Sequence, residues 1–134
     1  MRVLVVDDMV TMRKILKTQL TKLGFTDISE ADDGSTAVEA IKKAVAAETP
    51  FEMIISDWNM PQMSGIELLK AVRNTKELAS VLFIMVTAEA EQENIIEAIK
   101  NGVNNYIVKP FTPDTLYTKI KTVLDSKGIP MPNA

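Results

Sequence analysis

Asp7, Asp8, Asp57, Thr87 and Lys109 are the residues best placed to do chemistry in this chain. They follow short apolar runs. Val3–Val6 precedes Asp7-Asp8, Phe51–Ile55 precedes Asp57 by one serine, Val81–Val86 precedes Thr87, and Tyr106–Val108 precedes Lys109. Carboxylates gathered in one place repel, and desolvation adds to the cost. A hard divalent cation is the simplest remedy, and carboxylates plus waters in octahedral geometry suit Mg²⁺. Lys109 offers a point charge for a phosphate oxygen, and Thr87 a hydroxyl donor. A metal, a lysine and a hydroxyl around one carboxylate form an arrangement for phosphoryl transfer, which needs positioning and charge neutralisation more than covalent chemistry. Asp57 is the candidate nucleophile, giving an aspartyl phosphate.

Taken singly, each signal has an ordinary reading. Aspartate at a strand end is common as a turn or cap residue, Thr87 can cap a helix, and Lys109 before Pro110 can be a solvated edge residue. The inference rests on their convergence, so it depends on the elements that carry them.

Short β-branched runs read as strands, with a weaker one around Ile28, and the longer ones look buried on both faces. Helix-period segments lie between them. Met12, Ile15, Leu16, Leu20 and Leu23 form one stripe, stopped by Gly24. Val38, Ile41, Ala44 and Val45 form a second. Ser64-Gly65-Ile66-Glu67 is a capping-box pattern opening a third helix, with Ile66, Leu69 and Val72 inward. Ile95, Ile96 and Ile99 mark a fourth, closed by Asn101-Gly102, and Thr112-Pro113 opens a fifth carrying Leu116, Ile120, Val123 and Leu124.

Strict alternation predicts an α/β fold: a flavodoxin-like (βα)5 doubly wound parallel five-stranded sheet, with right-handed crossovers. The second and fifth strands are the most polar and belong at or near the edges, which favours the order 2-1-3-4-5. Ligands of such sheets bind outside the carboxyl ends of the strands where the order reverses, here between strands one and three. All five residues would gather on that rim.

At 134 residues the chain reads as one domain, with 46% hydrophobic residues to build a core. Residues 1–126 are expected to be the domain, and 127–134 a short flexible tail whose prolines cannot extend a helix. The six-residue run Val81–Val86 is far short of the about twenty residues of a membrane span, and Val3–Val6 before two aspartates is no secretion signal. A cytoplasmic protein without membrane insertion is expected. Cysteine and histidine are both absent, which removes disulfides, thiolate or histidine zinc sites, serine–histidine triads and phosphohistidine on this chain. A net charge of −3 argues against nucleic-acid binding.

Val5-Val6-Asp7-Asp8, Ser56-Asp57-Trp58-Asn59-Met60-Pro61-Gln62-Met63-Ser64-Gly65, Val86-Thr87-Ala88-Glu89 and Tyr106-Ile107-Val108-Lys109-Pro110-Phe111 together resemble the receiver domains of two-component response regulators. The resemblance covers residues 2 to 126. Asp57-Trp58-Asn59-Met60-Pro61, Thr87-Ala88-Glu89-Ala90 and Lys109-Pro110-Phe111-Thr112 look most like the single-domain chemotaxis members. The resemblance implies that Asp57 accepts a phosphoryl group from a phosphohistidine on a histidine kinase. It implies Mg²⁺ on Asp8, Asp57 and the backbone carbonyl of Asn59, with Asp7 acting directly or through water. Lys109 would hold one phosphate oxygen and Thr87 would move to bond another. Tyr106 would be a switch aromatic that turns inward with Thr87, and Asn59 and Glu89 would tune hydrolysis. The Lys109-Pro110 bond would be cis. Output would leave through the fourth helix, fifth strand and fifth helix, with Ala90, Tyr106 and Lys119 facing a flagellar motor switch protein.

The expected protein is a monomer that catalyses only its own phosphorylation and dephosphorylation, with a phosphatase as a further possible partner and output by direct protein contact. A phosphorelay intermediate or phosphate sink is the alternative within the family. A flavin or nucleotide carrier of the same fold would need a Gly/Ser/Thr-rich cradle after the first strand, where this chain has Asp7-Asp8-Met9-Val10. An aspartyl phosphatase would place its two acids one residue apart, whereas here they are adjacent. Met9 and Val10 stand where related sequences often carry serine or an aromatic, which alters the surface beside the metal ligands. Met12, Met53, Met60, Met63 and Met85 are read as packing residues.

Overall fold

In a computed structural model of the chain, which describes residues 1–88 and 90–132, strands and helices alternate throughout. The strands are β1 (Arg2–Val6), β2 (Asp27–Ala31), β3 (Met53–Ser56), β4 (Leu82–Thr87) and β5 (Asn105–Val108). The helices are α1 (Val10–Lys22), α2 (Gly34–Ala46), α3 (Gly65–Arg73), α4 (Gln92–Lys100) and α5 (Pro113–Ser126). A short 3-10 turn at Lys76–Leu78, which the sequence pattern did not suggest, leads into β4. All four strand pairings are parallel, and the order is β2-β1-β3-β4-β5. The polar strands are the edges, as expected.

Side chains alternate across a strand, so one sheet feeds two cores. Val3, Val5, Met53, Ile55, Ile84, Val86 and Ile107 pack with Leu16 and Leu20 of α1 and with Leu116, Ile120, Val123 and Leu124 of α5. Leu4, Val6, Ile54, Phe83, Met85 and Tyr106 pack on the other face with Ala37 and Ile41 of α2, Ile66, Leu69 and Val72 of α3, and Ala98 of α4. Both faces of β1, β3 and β4 are therefore covered, which is why those strands read as nearly continuous apolar runs.

Helix starts follow local chemistry. Asp33 accepts from the Thr36 N–H at 2.9 Å, and Ser64 from Glu67 N–H at 3.3 Å, each the core of a capping box. Thr112 caps α5 with Pro113 in its first turn. Gly24, at φ +97°, takes the left-handed conformation that ends α1.

Two expectations change. The isoleucines of α4 do not all face inward: Ile96 is 41% exposed and Ile99 61%, while Ala98 is fully buried. The inner stripe runs through Ile95 and Ala98 at i, i+3, which turns Ile96 and Ile99 about 100° away. The segment after α5 is not free of the core: Gly128 turns the chain at φ +69°, Ile129 packs against the α1/α5 core, and Met131 is buried in it.

Candidate functional site

The strand ends converge because register aligns them. Val6 of β1 lies beside Ala31 of β2 and Ser56 of β3, and Thr87 of β4 beside Val108 of β5. One residue further on, Asp7 N–H donates to Ala31 O (3.1 Å), Asp57 N–H to Val6 O (2.9 Å) and Lys109 N–H to Thr87 O (2.9 Å). The sheet ladder thus extends into the first residue of each loop, and backbone hydrogen bonds fix where Asp7, Asp57 and Lys109 begin.

Their side chains form one cluster. Carboxylate oxygens of Asp7, Asp8 and Asp57 lie within 4.8 Å of one another. Asp7 and Asp57 are buried and Asp8 is exposed. Lys109 Nζ is 2.9 Å from Asp7 Oδ2 and 3.3 Å from Asp57 Oδ2. The remaining oxygens of the buried pair accept backbone N–H groups: Asp7 Oδ1 from Met9 (2.9 Å) and Asp57 Oδ1 from Trp58 (2.7 Å). Two buried carboxylates are thereby held by one cation and two amides, as buried charges require. Asp8 makes no hydrogen bond or ion pair among the described residues, so its carboxylate is the one left to an incoming ligand. Three close carboxylates with one ammonium leave excess negative charge, and an all-oxygen donor set fits a hard divalent cation such as Mg²⁺.

The other expected site residues are distributed along the C-terminal edge of the sheet and beyond it, and Lys119 lies against the start of β5, away from this cluster. Thr87 is fully buried at the end of β4. Asn59 is exposed, two residues past Asp57 in the loop before α3. The Lys109-Pro110 bond is cis. Tyr106 is buried and packs with the α2–α4 core, so its ring already lies inward. Ala90 is exposed just before α4, and Lys119 on α5 accepts through its carbonyl from Asn105 Nδ2 at 3.1 Å, tying β5 to α5. Glu89 lies outside the described residues. Met9 and Val10 are 57% and 55% exposed beside Asp8.

Three contributions to the site were not read from the sequence: the close packing at Gly65 and Gly34, and the reach of Arg13. Gly65 N–H donates to Trp58 O at 2.8 Å, and a Cβ there would lie 2.0 Å from the Asp57 carbonyl oxygen. Gly34 N–H donates to Met63 O at 3.2 Å, and a Cβ there would lie 2.5 Å from that same oxygen. Both glycines let the acceptor loop pack against helix N-termini. Arg13, on α1, donates from Nη1 to the Asp7 carbonyl at 2.7 Å and from Nε to Glu30 at 3.2 Å. An arginine in a mixed helix stripe gives no sequence signal for such a contact.

The response regulator receiver domain model matches residues 3–121. The chain belongs to the response regulator receiver family. Among its relatives, chemotaxis protein CheY-3 of Vibrio cholerae is 49% identical over 125 residues, covering 93% of this chain and 92% of that protein. Chemotaxis protein CheY of Pseudomonas aeruginosa is 47% identical over 125 residues, covering 93% and 97%. Among solved structures, Vibrio cholerae CheY4 superposes with a TM-score of 0.79 at 36% identity, covering 92% of this chain and 98% of that one. A CheY-like receiver domain protein from Methanospirillum hungatei gives a TM-score of 0.81 at 30% identity, covering 95% of both chains. The receiver fold and the 2-1-3-4-5 sheet are thus common ground, and the acidic cluster sits at the reversal of strand order. Among the described residues, no helix is long and apolar enough to cross a membrane.

Proposed function

We propose that this receiver takes a phosphoryl group onto Asp57 from a phosphohistidine of a chemotaxis-type histidine kinase, in a Mg²⁺-dependent reaction, and that the phosphorylated form binds a flagellar motor switch protein. The observation that carries this reading is the Asp57 carboxylate, held between Trp58 N–H and Lys109 and adjoining Asp7 and Asp8.

Asp57 attacks phosphorus, the P–N bond to the donor histidine breaks, and the imidazole leaves. Asp7, Asp8 and Asp57, with the Asn59 carbonyl, would hold Mg²⁺, which supplies charge neutralisation for the phosphoryl oxygens when bound. Lys109, fixed by its backbone bond to Thr87, carries the positive charge that meets a phosphoryl oxygen, and the Thr87 hydroxyl meets another. Asn59 and Glu89 would control the approach of water that returns Asp57 to its free state.

The names of the relatives support a chemotaxis role. The exposed Ile96 and Ile99 of α4 and Val108 of β5 support a docking face for the motor protein on these elements, where Ala90, Tyr106 and Lys119 are the expected contact residues.

Trp58, the single tryptophan, adjoins Asp57 and reports on both steps. Its fluorescence should change with Mg²⁺ and again with acetyl phosphate or beryllofluoride. The second change should vanish in Asp57→Asn, and mass spectrometry should find one phosphoryl group, on Asp57. Absence of phosphorylated Asp57 would overturn the reading. A phosphorylated chain that ignores a flagellar switch peptide would instead be a relay intermediate or phosphate sink.

A further inference from the structure

Asp8 is the most weakly held of the three clustered carboxylates. It is exposed, and its side chain makes no hydrogen bond or ion pair among the described residues. Its aim therefore depends on the backbone that carries it, starting with the Asp7–Asp8 peptide. One group grips that peptide from outside the sheet ladder. Arg13 Nη1 donates to the Asp7 carbonyl oxygen at 2.7 Å. The same guanidinium is anchored at its other edge, where Nε meets Glu30 of β2 at 3.2 Å, and the Arg13 side chain is only 15% exposed. Lys17 braces Glu30 from the next turn of α1 at 3.7 Å. A planar fork held at both edges fixes direction as well as distance, which a lysine cannot do.

We propose that Arg13 is a positioning residue for the metal site: with Glu30 as its anchor, it sets the orientation of the Asp7–Asp8 peptide and so the aim of the Asp8 carboxylate toward Mg²⁺. The inference rests on the reading of the acidic cluster as a Mg²⁺ site. Two effects of Arg13 on the metal oppose each other. Its charge repels a cation, so simple loss of charge would tighten binding. Its clamp orders a ligand, so loss of the clamp weakens binding, as removal of groups supporting metal ligands commonly does. The structure favours the clamp, because the charge is already paired with Glu30.

The test compares wild-type, Arg13→Lys, Arg13→Gln and Glu30→Gln by titrating Mg²⁺ and Ca²⁺ against Trp58 fluorescence, below the metal-free thermal transition of each. Arg13→Lys and Arg13→Gln should each weaken Mg²⁺ binding roughly tenfold. Glu30→Gln, which loosens only the far end of the clamp, should weaken it by less. Ca²⁺ tolerates irregular geometry and should lose less than Mg²⁺ in every variant, a selectivity change that a charge effect or general loosening would not produce. Unchanged affinity in Arg13→Lys, or tighter binding in Arg13→Gln, overturns the proposal. If Arg13 variants fail to fold, Glu30→Gln decides: wild-type Mg²⁺ affinity and selectivity there overturns it. A wild-type chain that binds no Mg²⁺ refutes the functional reading itself and takes this inference with it, whereas a wild-type response that every variant shares refutes Arg13 alone.

Discussion

Lys109 Nζ lies 3.3 Å from Asp57 Oδ2, and the same ammonium is 2.9 Å from Asp7 Oδ2. One cation therefore bridges two buried carboxylates that would otherwise face each other. Lys109→Met removes that bridge and leaves the pair uncompensated. The expected cost is roughly 3 kcal/mol of metal-free stability, typical for breaking a buried pair. Mg²⁺ supplies positive charge at the same place, so it should restore most of the loss. Urea denaturation with and without Mg²⁺ measures both effects. A variant as stable as wild-type without metal would show that the carboxylates tolerate one another by other means.

The glycines around the acceptor loop give a graded prediction. A methyl at Gly65 would lie 2.0 Å from the Asp57 carbonyl oxygen, and one at Gly34 would lie 2.5 Å from the Met63 carbonyl oxygen. Backbone must move in both cases, so Gly65→Ala and Gly34→Ala should each cost about 2–3 kcal/mol, with the larger effect at Gly65. Gly128 has open space around its Cβ position but a φ of +69°, so Gly128→Ala should cost only about 1 kcal/mol. Denaturation midpoints of the three variants test the ranking. In Gly65→Ala the Trp58 emission should also shift, because the Gly65 N–H bond to the Trp58 carbonyl is lost or stretched.

What was legible in the sequence was what depends on strand ends. Asp7, Asp8, Asp57, Thr87 and Lys109 each follow an apolar run, and parallel register alone brings such residues to one rim. Contacts that depend on how a helix is rotated were not legible. Ile96 and Ile99 fit an apolar stripe as well as Ile95 and Ala98 do, yet it is Ile95 and Ala98 that turn to the sheet. Arg13 lies in a basic, mixed stripe, and its grip on the Asp7 carbonyl needs a side-chain path that periodicity does not encode. Met131 stands between Pro130 and Pro132, which read as loose chain, but Gly128 directs it back onto the core.

Helix capping sets part of the acid sensitivity. The Asp33 carboxyl is held below its ordinary value, chiefly by the Thr36 backbone N–H and then by the Ser35 hydroxyl. Glu67 is lowered in the same way by the Ser64 backbone N–H and hydroxyl. A carboxyl lowered on folding stabilises the fold above its unfolded value, and that stability is lost as pH falls through the folded one. Asp33→Asn keeps a good cap without the charge, so its stability should fall less than wild-type between pH 5 and pH 3, bounds taken to straddle the ordinary carboxylate value of about 4. Ser64→Ala removes a cap outright and should cost about 1 kcal/mol at neutral pH. Thermal melts across this range check both; parallel pH profiles for wild-type and Asp33→Asn would remove Asp33 from the account.

Arg73 closes the opposite end of the sheet from the acidic cluster. Its guanidinium donates from Nε to Gly102 O (3.0 Å), from Nη1 to Val81 O (2.6 Å) and Ala79 O (3.4 Å), and from Nη2 to Asn104 Oδ1 (2.9 Å), which in turn accepts from Phe83 N–H at 2.8 Å. Among the described residues no carboxylate joins this set, and burial lowers the tendency of the guanidinium to stay charged without displacing it from the charged form. One side chain thus ties the end of α3 to the loops before β4 and β5, including the turn that ends α4. Since α4 buries only Ala98 fully, this tie is one of the few contacts that reach the turn at its C-terminal end. Arg73→Ala leaves the carbonyl of buried Val81 without its donor, while the exposed Gly102 carbonyl turns to water, and should cost about 1–3 kcal/mol. Arg73→Lys should recover little of that, because a single ammonium cannot span partners that a planar fork reaches on three sides. Amide exchange should rise first at Gly102, Val103 and Asn104, before the strands open. Protection there equal to wild-type would mean that α4 is held by its packing on Ala98 and Ile95 rather than by Arg73.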